Sequence, residues 1–204
     1  MDVALSLGLF GLAWLLQVAT PGPSFVCITR SCLQISRSAA MTTASGTATG
    51  NGLLCLLAGF GAAALTANSA IAGTIRLAGA AYLLFFGLSL IAGLQAKSAE
   101  DADLVPRAIG IAAYRQGLMT ALSNPQAIAF FATGFVSFLG PASPLLVTAT
   151  SLMVVGITLG WYFFATTLLA NDSARQKYQM LRPWIDGTFG ILLLTAALRL
   201  VVTP

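Results

Sequence analysis

Six apolar segments follow one another along the chain, at about 5–29, 39–66, 70–94, 112–138, 145–170 and 184–203. Each approaches the roughly 20 residues that an α-helix needs to cross about 30 Å of hydrocarbon. The second and third nearly touch, with Asn68 and Ser69 as the turn between them. The one substantial polar stretch is AKSAEDADLVPRAIG at 96–110, which holds three of the six acidic residues. It splits the chain into a first half, 1–95, and a second half, 111–204, with three segments in each. The pattern predicts an all-α membrane protein of six transmembrane helices.

Two of the six segments are interrupted. VATPGPSFV at 18–26 lies inside the first, and SNPQAIAFF at 123–131 inside the fourth. Pro21 and Pro23 cannot donate backbone hydrogen bonds, and Gly22 resists no backbone angle. Asn124 followed by Pro125 is an N-cap and first-turn pair, so a helix can start afresh there; Thr20 or Gly22 can serve the first break likewise. Pro21 lies nine residues before Arg30, and Asn124 nine residues after Arg115. At about 1.5 Å per residue both breaks sit roughly 14 Å from an arginine, near the middle of a membrane. Freed backbone at that depth is tolerated only inside protein or beside a wet cavity. The helix N-termini that follow the breaks carry partial positive charge and unpaired N–H groups, which suit a carboxylate. One proline alone reads as a kink; two breaks at matching depth read as a site.

Charge sets the orientation. The linkers after the first, third and fifth segments hold Arg30, Arg37, Lys97, Arg107, Arg115, Arg175, Lys177 and Arg182, leaving only Arg76 and Arg199 opposite. The positive-inside rule then puts those linkers, 96–110 included, in the cytoplasm and both termini outside. With three spans per half, the halves cross in opposite directions, as in inverted-repeat transporters. Composition agrees: 57% of residues are hydrophobic and 8% charged, with a mean hydropathy of +0.88. Soluble domains carry about 25% charged residues. A net charge of +4 spread this way is not a nucleic-acid footprint. The first segment has no basic residue before it, so it reads as a retained span rather than a cleaved leader.

The remaining polar residues narrow the chemistry. There is no His, hence no usual zinc ligand and no usual general base. Cys27, Cys32 and Cys55 have no metal-ligand spacing and read as buried thiols. No cofactor, metal or catalytic residue is expected. Gly46 and Gly50, and again Gly156 and Gly160, have the GxxxG spacing of close helix packing. Asn51 is a buried amide that needs partners and is a candidate cavity residue. Asp186 falls in the first turn of the last segment, where the helix dipole favours a carboxylate and Arg182 can pair with it; proton coupling is its alternative role. Tyr82 and Trp161 face either a cavity or a neighbouring helix.

TPGPS at 20–24, the glycines around 46–52, GAAYLLFFG at 79–87, RQGLMTALSNPQAIAFF at 115–131 and IDGTFGILLL at 185–194 together resemble the lysine-exporter (LysE/RhtB) family of amino-acid efflux proteins. The resemblance implies a six-span exporter driven by the proton-motive force in a bacterial inner membrane, with self-association. It maps the family's first-span motif onto Pro21, Gly22 and Pro23, and its fourth-span motif onto Asn124 and Pro125. The chain departs from the family pattern at Ser24, Asn51 and Gln126, where members often carry an acid or Asn, an acid, and Lys respectively.

These readings converge on a secondary exporter of neutral or zwitterionic amino acids. The substrate carboxylate is expected against N–H groups at 22–25 and 124–127, with Ser24 and Gln126 beside it. Gln17, Thr20 and Asn51 are expected to receive the ammonium group. Scarce intramembrane acids disfavour lysine or arginine as cargo. The alternatives are export of another small solute or a metal ion, an intramembrane enzyme, which lacks a base to activate Ser24 or Ser123, and a membrane scaffold, which has no use for paired midplane breaks.

Overall fold

Proline or serine stands at the start of four of the six continuous helices described. A computed structural model describes residues 3–20, 22–65, 108–135, 139 and 142–169, together with scattered, mostly helical positions between 77 and 92 and between 180 and 198. All the regular structure described is helical. The continuous helices are α1 (Val3–Ala19), α2 (Pro23–Gln34), α3 (Arg37–Leu65), α4 (Gly110–Leu122), α5 (Pro125–Gly134) and α6 (Pro144–Leu169). Proline occupies the first position of α2, α5 and α6, where its missing N–H costs nothing. Ser143 caps α6 by accepting from the Leu146 N–H at 3.3 Å, and Ser36 caps α3 through the Ala39 N–H at 3.1 Å.

The first apolar segment is therefore two helices, α1 and α2, whose axes differ by 54°. The fourth is likewise α4 and α5, divided at Ser123 and Asn124. Helix α2 runs past Arg30 to Gln34, so only Ile35 and Ser36 separate it from α3. The linker expected over 30–38 is that short because neither proline nor glycine stops the helix before the Ser36 cap. Among the described residues, α6 is the one single helix long and apolar enough to cross a membrane, and the α1–α2 pair passes the same test taken together. Most of the 96–110 linker, Asn68, Ser69, Arg76, Tyr82, Asp186 and Arg199 lie outside the described residues.

Contacts fix the helix directions. Gly11 meets Met153 and Ile157, Trp14 meets Thr158 and Cys32 meets Thr166, so α1 and α2 run parallel to α6. Met41 meets Thr166, while Gly52 meets Val155 and Gly59 meets Val147, so α3 runs antiparallel to α6. Phe10 touches Gly134 and Trp14 packs on Phe130 and Phe131 at 5.1 and 4.6 Å between ring centroids, so α5 is antiparallel to α1.

Helix α3 is central and packs against α2, α4, α5 and α6. Its stretch TTASGTATGNG, 42–52, offers small side chains on nearly every side. Against α4 the fit is reciprocal. A Cβ on Gly46 would collide with the Tyr114 carbonyl, and one on Gly117 would collide with the Thr43 carbonyl. Gly50 abuts Ala121 and Leu118 in the same way, and Thr47 Oγ1 donates to the Gly117 carbonyl at 3.3 Å. The register advances together from Gly46–Tyr114 to Gly50–Ala121, so α3 and α4 are parallel and their backbones touch. Gly87 and Gly190 form a second reciprocal pair, each 2.8–2.9 Å from the other's carbonyl at the Cβ position.

Gly156 and Gly160 correct the sequence reading. A Cβ at either meets no atom within 4 Å, and both are exposed. The buried stripe of α6 runs through Val147, Thr150, Val154, Thr158 and Tyr162. Positions 156 and 160 stand two residues off that stripe, about 200° around the helix. The spacing is that of a packing motif, but the face is the outer one.

Replacing Gly46 or Gly117 with Ala should force α3 and α4 apart and lower the stability of detergent-purified protein by about 1–3 kcal/mol. Gly156→Ala should be neutral or stabilising by up to about 1 kcal/mol, because Ala is the better helix former. Thermal unfolding of the three variants checks this contrast.

Candidate functional site

Each break leaves helical carbonyls without their usual donors, and both resolve this in one way. Pro21 and Pro125 have no N–H, so the carbonyls of Gln17 and Ala121 lose their i+4 partners. The Thr20 N–H takes the Gln17 carbonyl at 3.3 Å, and the Asn124 N–H takes the Ala121 carbonyl at 3.1 Å. The new helix then starts from an extended residue held in that region by the proline after it. That residue is Gly22, at φ −134° and ψ −172°, for α2. For α5 it is Asn124, at φ −75° and ψ 108°.

The two N-termini differ in capping. Asn124 Oδ1 accepts from the Gln126 N–H at 3.0 Å, while Gly22 has no side chain to offer α2. They are joined directly, since Asn124 Nδ2 donates to Ser24 Oγ at 3.4 Å. Neither helix has an acid in its first turn.

Between these ends lies a cavity of about 20 Å³, lined by Trp14, Gln17, Val18, Thr20, Gly22, Ser24, Phe25, Asn51, Asn124, Gln126, Ala127 and Tyr162. That is room for about one water molecule. None of these residues carries a charge at neutral pH. Ser24 and Phe25 from α2, and Gln126 and Ala127 from α5, hold equivalent positions after their prolines. The Trp14 indole forms one wall, pinned by Nε1 donating to Thr158 Oγ1 at 3.1 Å. Thr20 is buried, and its hydroxyl donates to the Leu16 carbonyl at 3.0 Å, leaving its lone pairs for another donor. Asn51, 3% exposed, has its Oδ1 buried without a hydrogen-bond partner. An unpaired buried acceptor of this kind costs about 1–3 kcal/mol until a donor reaches it.

The structure brings Gln17, Thr20, Gly22, Ser24, Asn51, Asn124 and Gln126 to one place. Pro23 and Pro125 are exposed and start helices rather than line the cavity; Pro21 lies outside the described residues. Sequence reasoning missed Trp14, Val18, Phe25, Ala127 and Tyr162. Trp14 and Val18 had a signal, since both share a helical face with Gln17. Tyr162 had none that separates it from its neighbour Trp161, which instead packs on Phe164 at 5.8 Å. Gly46 and Gly50 stand against α4 as described above.

A family model described as LysE type translocator matches residues 15–203. The threonine efflux protein of Escherichia coli (strain K12) is 28% identical over 193 residues, covering 93% of this chain and 94% of that protein. Its counterpart from Salmonella typhi is 27% identical over the same coverage. The uncharacterized membrane protein YahN of Escherichia coli (strain K12) is 30% identical over 207 residues, covering 98% of this chain and 88% of that protein. No solved structure matches the chain.

Asn124→Ala removes both the α5 cap and the link to Ser24. It should lower thermal stability by about 1 kcal/mol, whereas Asn124→Ser, which keeps a capping oxygen, should lose only a few tenths. Melting curves of the two purified variants beside the parent check the ordering.

Proposed function

The chain belongs to the LysE type translocator family, and from that premise we propose that it exports neutral or zwitterionic amino acids across a bacterial inner membrane. Membership makes it a membrane transporter rather than an enzyme. The observation that carries the cargo assignment is the convergence of two helix N-termini and the unpartnered Asn51 oxygen on one uncharged cavity. Helix N-termini attract a carboxylate. An amide oxygen with no partner takes an ammonium proton, and Gln17 and Thr20 add acceptors beside it. With no acid among the described residues that line the cavity, none of them compensates a second positive charge on the cargo. The relatives named as threonine efflux proteins make threonine the first cargo to test.

The pathway is a pair of inverted three-helix repeats, 1–95 and 111–204, with the first and fourth spans broken near the midplane. The contact directions support this: α1 and α5 oppose each other, as do α3 and α6. A cavity of about 20 Å³ is smaller than any amino acid, so cargo binding requires the halves to part, as alternating access demands. The proton-motive force drives the cycle, with both termini outside. Asp186 is the proton-coupling candidate, and self-association accompanies the family resemblance.

Cells overproducing the protein and loaded with a panel of amino acids should release threonine or a similar neutral amino acid faster than control cells, and an uncoupler should abolish the difference. Asn51→Leu, inserted normally, should cut that flux about tenfold or more, the loss of one charge-assisted hydrogen bond. If no amino acid leaves faster than from control cells, the assignment is wrong. For the topology, a reporter active only in the cytoplasm should stay silent when fused after Pro204; a bright fusion would invert the orientation.

A further inference from the structure

Gln126 spans the gap between the two helix ends. Its backbone sits in the first turn of α5, yet its side-chain oxygen lies against Gly22 at the start of α2. A Cβ on Gly22 would collide with that oxygen and come within 3.1 Å of Cδ and 3.2 Å of Nε2. The Gly22 backbone is extended, a conformation open to every residue. Glycine here leaves room for the Gln126 amide, which a methyl group would push aside, and is not needed for its backbone freedom. Gln126 itself is 5% exposed and lines the cavity.

The place it holds is specific. The N-terminus of α5 is already capped by Asn124, whereas α2 has neither a side-chain cap nor an acid in its first turn. A planar carboxamide oxygen carries partial negative charge and has the shape of half a carboxylate. At the uncapped end of α2 it answers the same field that would hold a carboxylate. The unpartnered Asn51 oxygen, lining the same cavity, marks the second half of a ligand site that the carboxamide does not satisfy.

We infer that the Gln126 carboxamide is a built-in stand-in for the cargo's carboxylate, seated at the α2 N-terminus while the site is empty and displaced when cargo binds. The inference rests on the amino-acid reading above and assigns Gln126 as the residue that sets affinity and cargo size. Because the stand-in must leave first, the apparent dissociation constant of every cargo is the intrinsic one divided by the fraction of time that the amide is away from its seat. Truncating Gln126 removes that competitor. A simple substrate contact predicts the opposite sign.

The test is a double-mutant cycle of Gly22→Ala and Gln126→Ala in purified protein, read by threonine binding (Trp14 fluorescence or calorimetry) and by thermal stability without ligand. Gln126→Ala should tighten threonine binding about tenfold and admit bulkier neutral amino acids. A methyl group at position 22 pushes the flexible amide into the cavity, so Gly22→Ala should weaken binding about tenfold beside Gln126 but little beside Ala at 126, a coupling within the range seen for touching residues. Weaker threonine binding in Gln126→Ala, or equal effects of Gly22→Ala in both backgrounds, overturns the inference. Coupling in the stability cycle while no variant binds any amino acid supports the closing contact and rejects the amino-acid cargo.

Discussion

Backbone contact between α3 and α4 is the constraint on which the rest depends. Gly46 and Gly117 each leave room for the other helix's carbonyl, at Tyr114 and Thr43. The two helices are parallel, and Asn51 and Asn124 lie five and seven residues beyond those glycines. At about 1.5 Å per residue they arrive at heights only about 3 Å apart. Two amide side chains thus reach one cavity because two glycines allow no side chain between the helices. Between apolar helices in lipid, burial of apolar surface adds little, and close packing must supply the adhesion. Methyl groups at these positions would therefore disturb the site as well as the bundle.

The breaks solve one problem with different residues. In each, the residue before the first proline turns its N–H back three positions to a carbonyl that proline has orphaned. In each, a proline then opens a helix whose first turn faces the cavity. The difference is the cap, Asn124 in one and Gly22 in the other. One N-terminus is satisfied within its own chain segment and bound to Ser24 of the other. The second is left to a group from across the gap. A site with two equal, open N-termini would hold an anion symmetrically; this asymmetry gives the ligand one preferred end.

How much of this was legible in the sequence follows from how local each cause is. Proline chemistry is local, so the starts of α2 and α5 were readable, as was the pairing of the two breaks. Gln17, Thr20, Ser24, Asn51, Asn124 and Gln126 were chosen as polar groups at or near expected cavity depth, and they meet in one cavity. Rotation about a helix axis is not local. Gly156 and Gly160 have the spacing of Gly46 and Gly50 but point outward, because spacing says which residues share a face and not what that face meets. Gly117 has no glycine four residues away and lies instead between Ala113 and Ala121, a small-residue spacing common enough to single out no position, although it makes the closest approach to α3 together with Gly46. Tyr162 and Trp161 are equally aromatic neighbours, and only the packing of α6 decides between them.

The proposed export cycle requires the protein to return empty as well as leave loaded, and this constrains how its empty site would be built. Bare helix N-termini in a closed, low-dielectric cavity would carry unpaired donors through the return step at a cost of about 1–3 kcal/mol each. A carboxylate fixed in the chain would satisfy them too well, because charge-assisted hydrogen bonds are roughly twice as strong as neutral ones. A carboxamide lies between these extremes. It would be strong enough to complete the empty state and weaker than the carboxylate proposed to replace it. The Asn51 oxygen would tilt the balance the same way, since it has no partner in the structure and the proposed cargo brings an ammonium group to it. On the proposed reading, the difference between empty and loaded states lies in two neutral amides, which is how a cavity with no charge among its described lining residues would discriminate a zwitterion.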